Sequence, residues 1–99
     1  MALYNNISSA TTTTLITKGA SNGGNIKKIL ITNHDDSDAC VVKIQLNDGA
    51  GSPTIYVINE TSIPARASLL LEDNLQFDSG VYNLQAVTSS TAEITIIIK

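Results

Sequence analysis

Cys40-Val41-Val42-Lys43-Ile44-Gln45-Leu46 is the stretch that decides the fold. Cys40, Val42, Ile44 and Leu46 alternate with Val41, Lys43 and Gln45, and a period of two marks a strand with one face on a core and the other toward water. The residues that follow, Asn47-Asp48-Gly49-Ala50-Gly51-Ser52-Pro53, carry an Asp-Gly turn signal and a terminating Pro. Residues 54–60 then return as the second arm of a hairpin. Upstream, residues 11–17 read as a Thr-rich strand, and the Gly/Asn-rich run 19–24 breaks it as a turn. Residues 27–33 resume with Ile29 and Ile31 on one face and Leu30 on the other, which suits a central strand. Downstream, 62–67 is a connector interrupted by Pro64, 68–72 a short strand and 75–77 an ambiguous one. Residues 81–88 alternate Tyr82, Leu84 and Ala86 against Val81, Asn83, Gln85 and Val87. After a Ser/Thr turn, residues 92–99 close the chain with Ile94, Ile96 and Ile98 inward and Ile97 facing out.

Seven or eight strands at this spacing predict an all-β, single-domain antiparallel β-sandwich over residues 11–99, immunoglobulin-like or jelly-roll-like. Residues 1–10 are polar apart from Leu3, Tyr4 and Ile7. They are either an N-terminal arm that a partner surface holds, or a first edge strand or frayed end.

Composition supports the same class. The chain has 99 residues, 42% hydrophobic, 15% charged and 4% aromatic, with a net charge of -3. Ser and Thr make up about a fifth of it, and Ile and Val outnumber Ala and Met, a strand- and turn-forming choice. Six Lys and Arg are too few for the concentrated basic face that nucleic-acid binding needs. A lone cysteine, Cys40, rules out an internal disulfide, so the fold stands on packing and hydrogen bonds. No apolar run approaches the roughly 20 residues of a membrane-spanning helix, and the first residues lack the pattern of a signal peptide. The expectation is a soluble product made in the cytoplasm that contacts neither nucleic acid nor membrane.

The candidate chemistry is sparse. Asn33-His34-Asp35-Asp36-Ser37-Asp38 is the one dense cluster of oxygen and nitrogen ligands, and such a loop can wrap Ca²⁺. It does not fit an EF-hand frame, because no Gly falls at position six and no Glu closes it. The competing reading is a strand connection in which Asp side chains form Asx-turns. His34 lacks the further ligands of a zinc site, and Cys40 on an inward strand face reads as a small inert hydrophobe. Glu60, Glu72 and Glu93 offer carboxylates, but no spacing singles out a catalytic pair. The run 19–24 lacks the Lys-Ser/Thr of a phosphate-binding loop. Lys27-Lys28 is too short for a basic patch, and Arg66 reads as a solvated loop residue. These readings predict no enzyme, no cofactor, no metal, and no catalytic or binding residue. Asp78-Ser79-Gly80-Val81-Tyr82-Asn83-Leu84 resembles the tyrosine corner of immunoglobulin-like domains, a structural signal.

The order of elements carries a family resemblance. Ile26-Lys27-Lys28-Ile29-Leu30-Ile31-Thr32-Asn33 leads into a polar turn and a hairpin. Ser62-Ile63-Pro64-Ala65 with Ser68-Leu69-Leu70-Leu71 follows, then Tyr82-Asn83-Leu84-Gln85-Ala86 and an Ile-rich last strand. From Gly24 onward, about three-quarters of the chain, this is similar to the small β-sandwich virion proteins of tailed bacteriophages. The resemblance implies a capsid decoration or cement protein that binds the outer head lattice. Its partner would be the major capsid protein or another virion protein, in a homo-oligomer located in the virion and assembled in the host cytoplasm. A neck or tail accessory protein, or a carbohydrate-binding adhesion module with Ca²⁺ in the Asp35 to Asp38 loop, is the alternative. Candidate contact regions are residues 1–10, the turn around Asn22 and the loop 48–53.

Overall fold

The 40–46 alternation becomes a strand in the computed structural model, which describes residues 3–19, 25–72 and 74–99. Cys40, Val42, Ile44 and Leu46 are buried, and the residues between them are half-buried. Ten strands and no helix occur among the described residues: β1 Leu3–Ile7, β2 Thr11–Ile16, β3 Asn25–Ile26, β4 Ile29–Asn33, β5 Cys40–Asn47, β6 Ile55–Ile63, β7 Ser68–Leu71, β8 Leu75–Gln76, β9 Asn83–Thr88 and β10 Ile94–Ile98. The expected all-β antiparallel sandwich is therefore present, with β1 and β3 beyond the seven or eight strands expected. Of the N-terminal segment, Leu3–Ile7 pairs with β10 as an edge strand. The turn around Asn22 lies outside the described residues.

Two four-stranded sheets, β1-β10-β4-β7 and β2-β9-β5-β6, face each other, and β3 pairs with β8 beside them. All the pairings are antiparallel, and they nest: β5 with β6, β4 with β7, β3 with β8, β2 with β9 and β1 with β10. The chain is thus one long hairpin wrapped on itself, and the wrap adds the pairings β10·β4 and β9·β5. Of the two sandwich types expected, this eight-strand double-sheet order is the jelly roll. The immunoglobulin order sets its first strand in a four-stranded sheet beside three others against a separate sheet of three. Here the first strand pairs with the last, so that alternative is set aside.

Ile fills the space between the sheets. Ile29, Ile31, Ile94, Ile96 and Ile98 from one sheet meet Val42, Ile44, Leu46, Leu84 and Ala86 from the other, with Leu15, Ile16 and Cys40 completing the layer. β-branched side chains suit this layer because their limited χ1 freedom costs little on a pleated surface. Phe77 and Tyr82 pack only at its margin.

Three boundaries differ from the sequence reading, each for a backbone reason. The strand expected at 54–60 continues to Ile63, because β5·β6 shifts register after Val42 and after Ile44, and Glu60 takes a positive φ of 58°. Such irregularities interrupt the period-two pattern without ending the pairing. The strand expected at 27–33 is divided: Lys27 and Lys28 lie between β3 and β4, and both backbone N–H groups donate to the Lys99 carbonyl at 2.7 and 3.1 Å. Val81 stays outside β9, because the Val81 and Tyr82 N–H groups donate to the Asp78 carbonyl at 3.0 and 2.9 Å and make a turn.

Candidate functional site

The Asn33 to Asp38 segment closes on itself. Asn33 is fully buried at the end of β4, and its Nδ2 donates to the carbonyls of Asp38 at 2.8 Å and Ile63 at 2.9 Å. Its Oδ1 accepts the Asp35 N–H at 3.0 Å. Asp35 Oδ2 in turn accepts the N–H groups of Asp38 at 2.9 Å and Ser37 at 3.1 Å. These two backbone donors hold the Asp35 carboxyl below its ordinary value. Two of the oxygens that would wrap a cation, Asn33 Oδ1 and Asp35 Oδ2, thus hold the turn together, as Asx-turns do. Among the described residues, no three His, Cys, Asp or Glu side chains gather into a metal-binding group.

The other nominated residues are dispersed. His34 Nδ1 lies 3.3 Å from Glu93 Oε2 on the surface. Cys40 is buried in the core, with its Sγ 3.6 Å from the Val41 carbonyl. Glu60 pairs with Lys43 at 3.4 Å and Glu72 with Lys28 at 3.7 Å, so the three glutamates sit beside three different side chains and do not meet. Arg66 occupies a left-handed turn at φ 64° and reaches exposed Asp36 at 3.3 Å. In the tyrosine-corner stretch, Asp78 Oδ1 accepts the Gly80 N–H at 3.0 Å, and no hydrogen bond from the Tyr82 hydroxyl occurs among the described residues. The loop 48–53 is ordered by its own side chains: Asn47 Oδ1 accepts the Gly49 N–H at 2.7 Å and Asp48 Oδ1 the Ala50 N–H at 2.8 Å. The Ser52 hydroxyl, followed by the Ala50 N–H, holds the Asp48 carboxyl below its ordinary value.

What the sequence reading did not assemble is the outer face of the β1-β10-β4-β7 sheet. Register places Tyr4 beside Ile97, Ile97 beside Leu30, and Leu30 beside Leu70, so one apolar row crosses the full width of the sheet. Tyr4 is 70% exposed and Leu70 50%, while Leu30 and Ile97 are half-buried. Two residues along each strand lies a hydroxyl and amide row: Asn6, Thr95, Thr32 and Ser68. Thr95 donates to Asn6 Oδ1 at 2.7 Å, and the Thr32 and Ser68 hydroxyls lie 3.1 Å apart. On the other side of the apolar row stand Lys28, Lys99 and Glu72. Lys28, Leu30, Leu70, Ile97 and Lys99 line a shallow hollow of about 270 Å³. The outward positions of Leu30 and Ile97 are readable in the sequence, but only the pairing register puts them in line with Tyr4 and Leu70.

The opposite outer face, on β2-β9-β5-β6, is mixed, with Val41, Val87 and the exposed Tyr56 set among polar side chains. Gln45 Nε2 donates to Gln85 Oε1 at 3.0 Å, and Lys43 stands 5.8 Å from the centre of the Tyr56 ring.

Strand order and the closed polar loops define a jelly-roll domain whose open feature is a sheet face. The chain shares this fold with a pentameric capsid protein isolated from metagenomic phage sequences: TM-score 0.52 and 17% identity, covering 99% of this chain and 60% of that protein. A further structure of such a pentameric capsid protein gives 0.51 and 16%, covering 99% of this chain and 59% of that one. The Anabaena sensory rhodopsin transducer follows at TM-score 0.46 and 13% identity, covering 98% of this chain and 94% of that one. At such identities the capsid-protein likeness establishes the fold, and this chain spans about 60% of the length of the capsid protein it matches. No protein-family profile and no curated protein match the chain by sequence.

Proposed function

We propose that the chain is a structural protein of a phage virion, a non-enzymatic subunit that binds the outer head lattice as a decoration or cement protein and associates with copies of itself. The observation that carries this reading is the outward apolar row on one sheet of a jelly roll, the fold it shares with a phage capsid protein. A row with partly exposed Tyr and Leu beside a hydroxyl row suits association of subunits through shape and area, and the fold shared with a capsid protein supports the virion role. The nominated polar groups, by contrast, serve turns and surface pairs.

Capsids lacking the protein, mixed with purified chain and imaged by cryo-EM, test the reading. Regular density at repeated lattice positions is expected at micromolar concentration. Bare capsids under those conditions would remove the decoration role.

A further inference from the structure

We propose that the outer face of the β1-β10-β4-β7 sheet binds the same face of a second copy of this chain, in an antiparallel stack about a two-fold axis lying along the Tyr4-Ile97-Leu30-Leu70 row. The inference rests on the self-association named above and not on capsid binding.

The sequence separates charge along this sheet. Lys27 and Lys28 precede β4 and Lys99 follows β10, so three of the six Lys and Arg gather at one end of the two central strands. Asp35, Asp36 and Asp38 follow β4, and Glu93 precedes β10, so four of the nine Asp and Glu gather at the other. Because β4 and β10 are antiparallel, both strands contribute to both poles with the same sign. Lys27 and Lys99 have no ion pair among the described residues, whereas Lys28 has Glu72. At the acidic pole Arg66 reaches Asp36 and His34 lies beside Glu93, and neither Asp35 nor Asp38 forms an ion pair among the described residues.

Rotation about the row keeps its order, so that each member meets its own counterpart, and reverses the strand direction. Apolar residues meet apolar residues, each copy's lysines lie over the other's hydroxyl row, and the basic pole of each points to the acidic pole of the other. Lys99 falls over Thr95 of the second copy, and Glu93 of that copy is two residues further, about 7 Å, within reach of an extended Lys side chain. The alternative face-to-face stack, about an axis parallel to the strands, sets basic pole on basic pole and is opposed by like-charge repulsion. Two twisted sheets packed face to face at about 10 Å and some 30° accommodate this arrangement.

Four strands about 4.8 Å apart and five residues of about 3.4 Å give a footprint on the order of 300 Å². That is well below the ~800 Å² per partner of a stable complex. The contact is therefore a weak, reversible one, suited to chains already concentrated on a surface.

Sedimentation of the isolated full chain tests it. A reversible monomer–dimer equilibrium is expected between about 10 µM and 1 mM, the range in which so small an interface acts. It should weaken at least about tenfold when NaCl rises from about 0.05 to 0.5 M. Leu70→Glu, at an exposed position, should weaken it by a similar factor, with Leu70→Ser as the milder second variant. Lys99→Glu should weaken it, and Lys99→Glu combined with Glu93→Lys should restore it, a rescue that fold damage cannot produce. A chain monomeric at 1 mM overturns the proposal, as does a ring or dimer indifferent to Leu70→Glu and to the charge exchange. Loss of capsid binding on Leu70→Glu in a chain that never dimerises assigns the face to the lattice and also overturns it. An intact, variant-sensitive dimer that fails to bind capsids removes only the decoration reading.

Discussion

Asn33 is a fully buried amide whose hydrogen bonds reach three backbone groups, two on the β4–β5 connection and one at the end of β6. Asn33→Leu would leave the Asp38 and Ile63 carbonyls and the Asp35 N–H without that partner, and unsatisfied groups cost about 1–3 kcal/mol each when buried. Allowing for water reaching the loop side, a loss of about 2–4 kcal/mol is expected in urea unfolding. Asp35 acts on the exposed side of the same turn. Its folded pKa lies below the ordinary 3.8, so the stability it contributes is fully present above that value. It is lost as pH falls through the lower folded value. Asp35→Ala should therefore flatten the acid limb of a plot of Tm against pH and leave the neutral region parallel to that of the unaltered protein. Millimolar Ca²⁺ should leave Tm unchanged, because the Asp35 oxygen that a cation would need already accepts two N–H groups; a rise would favour the adhesion reading. At this scale the sequence was informative where chemistry is local. The Asx-turns follow from Asp and Asn types alone, whereas the role of Asn33 depends on Ile63, thirty residues away.

The β5 strand was legible because an uninterrupted alternation leaves no other way to bury Cys40, Val42, Ile44 and Leu46 together. Its partner β6 was legible only as far as Glu60, since a bulged strand keeps its pairing while losing its period. Positive φ costs a non-Gly residue about 1–2 kcal/mol, part of which Gly gives back through its larger unfolded-state entropy. At the exposed Arg66 turn the Asp36 pair contributes little, so Arg66→Gly is expected to raise stability by up to about 1 kcal/mol in chemical denaturation. β1 covers one edge of β10, whose residues are almost all Ile. Deleting residues 1–7 should expose that edge and produce aggregation visible by light scattering, because an unpaired apolar strand is a template for further pairing. The sequence left this segment between arm and edge strand because Leu3, Tyr4 and Ile7 do not alternate strictly.

The whole molecule is a nest of pairings in which only β5 and β6 are joined by a local turn. The other nested pairs join strands separated by a growing length of chain, out to β1 with β10. Loop-closure entropy must be met before such contacts form, so refolding in stopped flow is expected on the millisecond-to-second scale of all-β domains, well slower than helical bundles. Composition and spacing made the sandwich class readable, because they report on burial period. The jelly-roll order was not readable over its immunoglobulin-like rival, because which strand meets which is settled by two sheets sharing one core. The same is true of the apolar row: each of its four members sits on a different strand, and no sequence window contains them together. The nested order also fixes how the molecule yields to load. Leu3 stands opposite Ile98, so a pull applied at those two residues acts across the strands and opens the β1·β10 ladder one hydrogen bond at a time. A subunit tethered there would peel from its rim inward, and the β5·β6 hairpin at the centre of the nest would be the last to part.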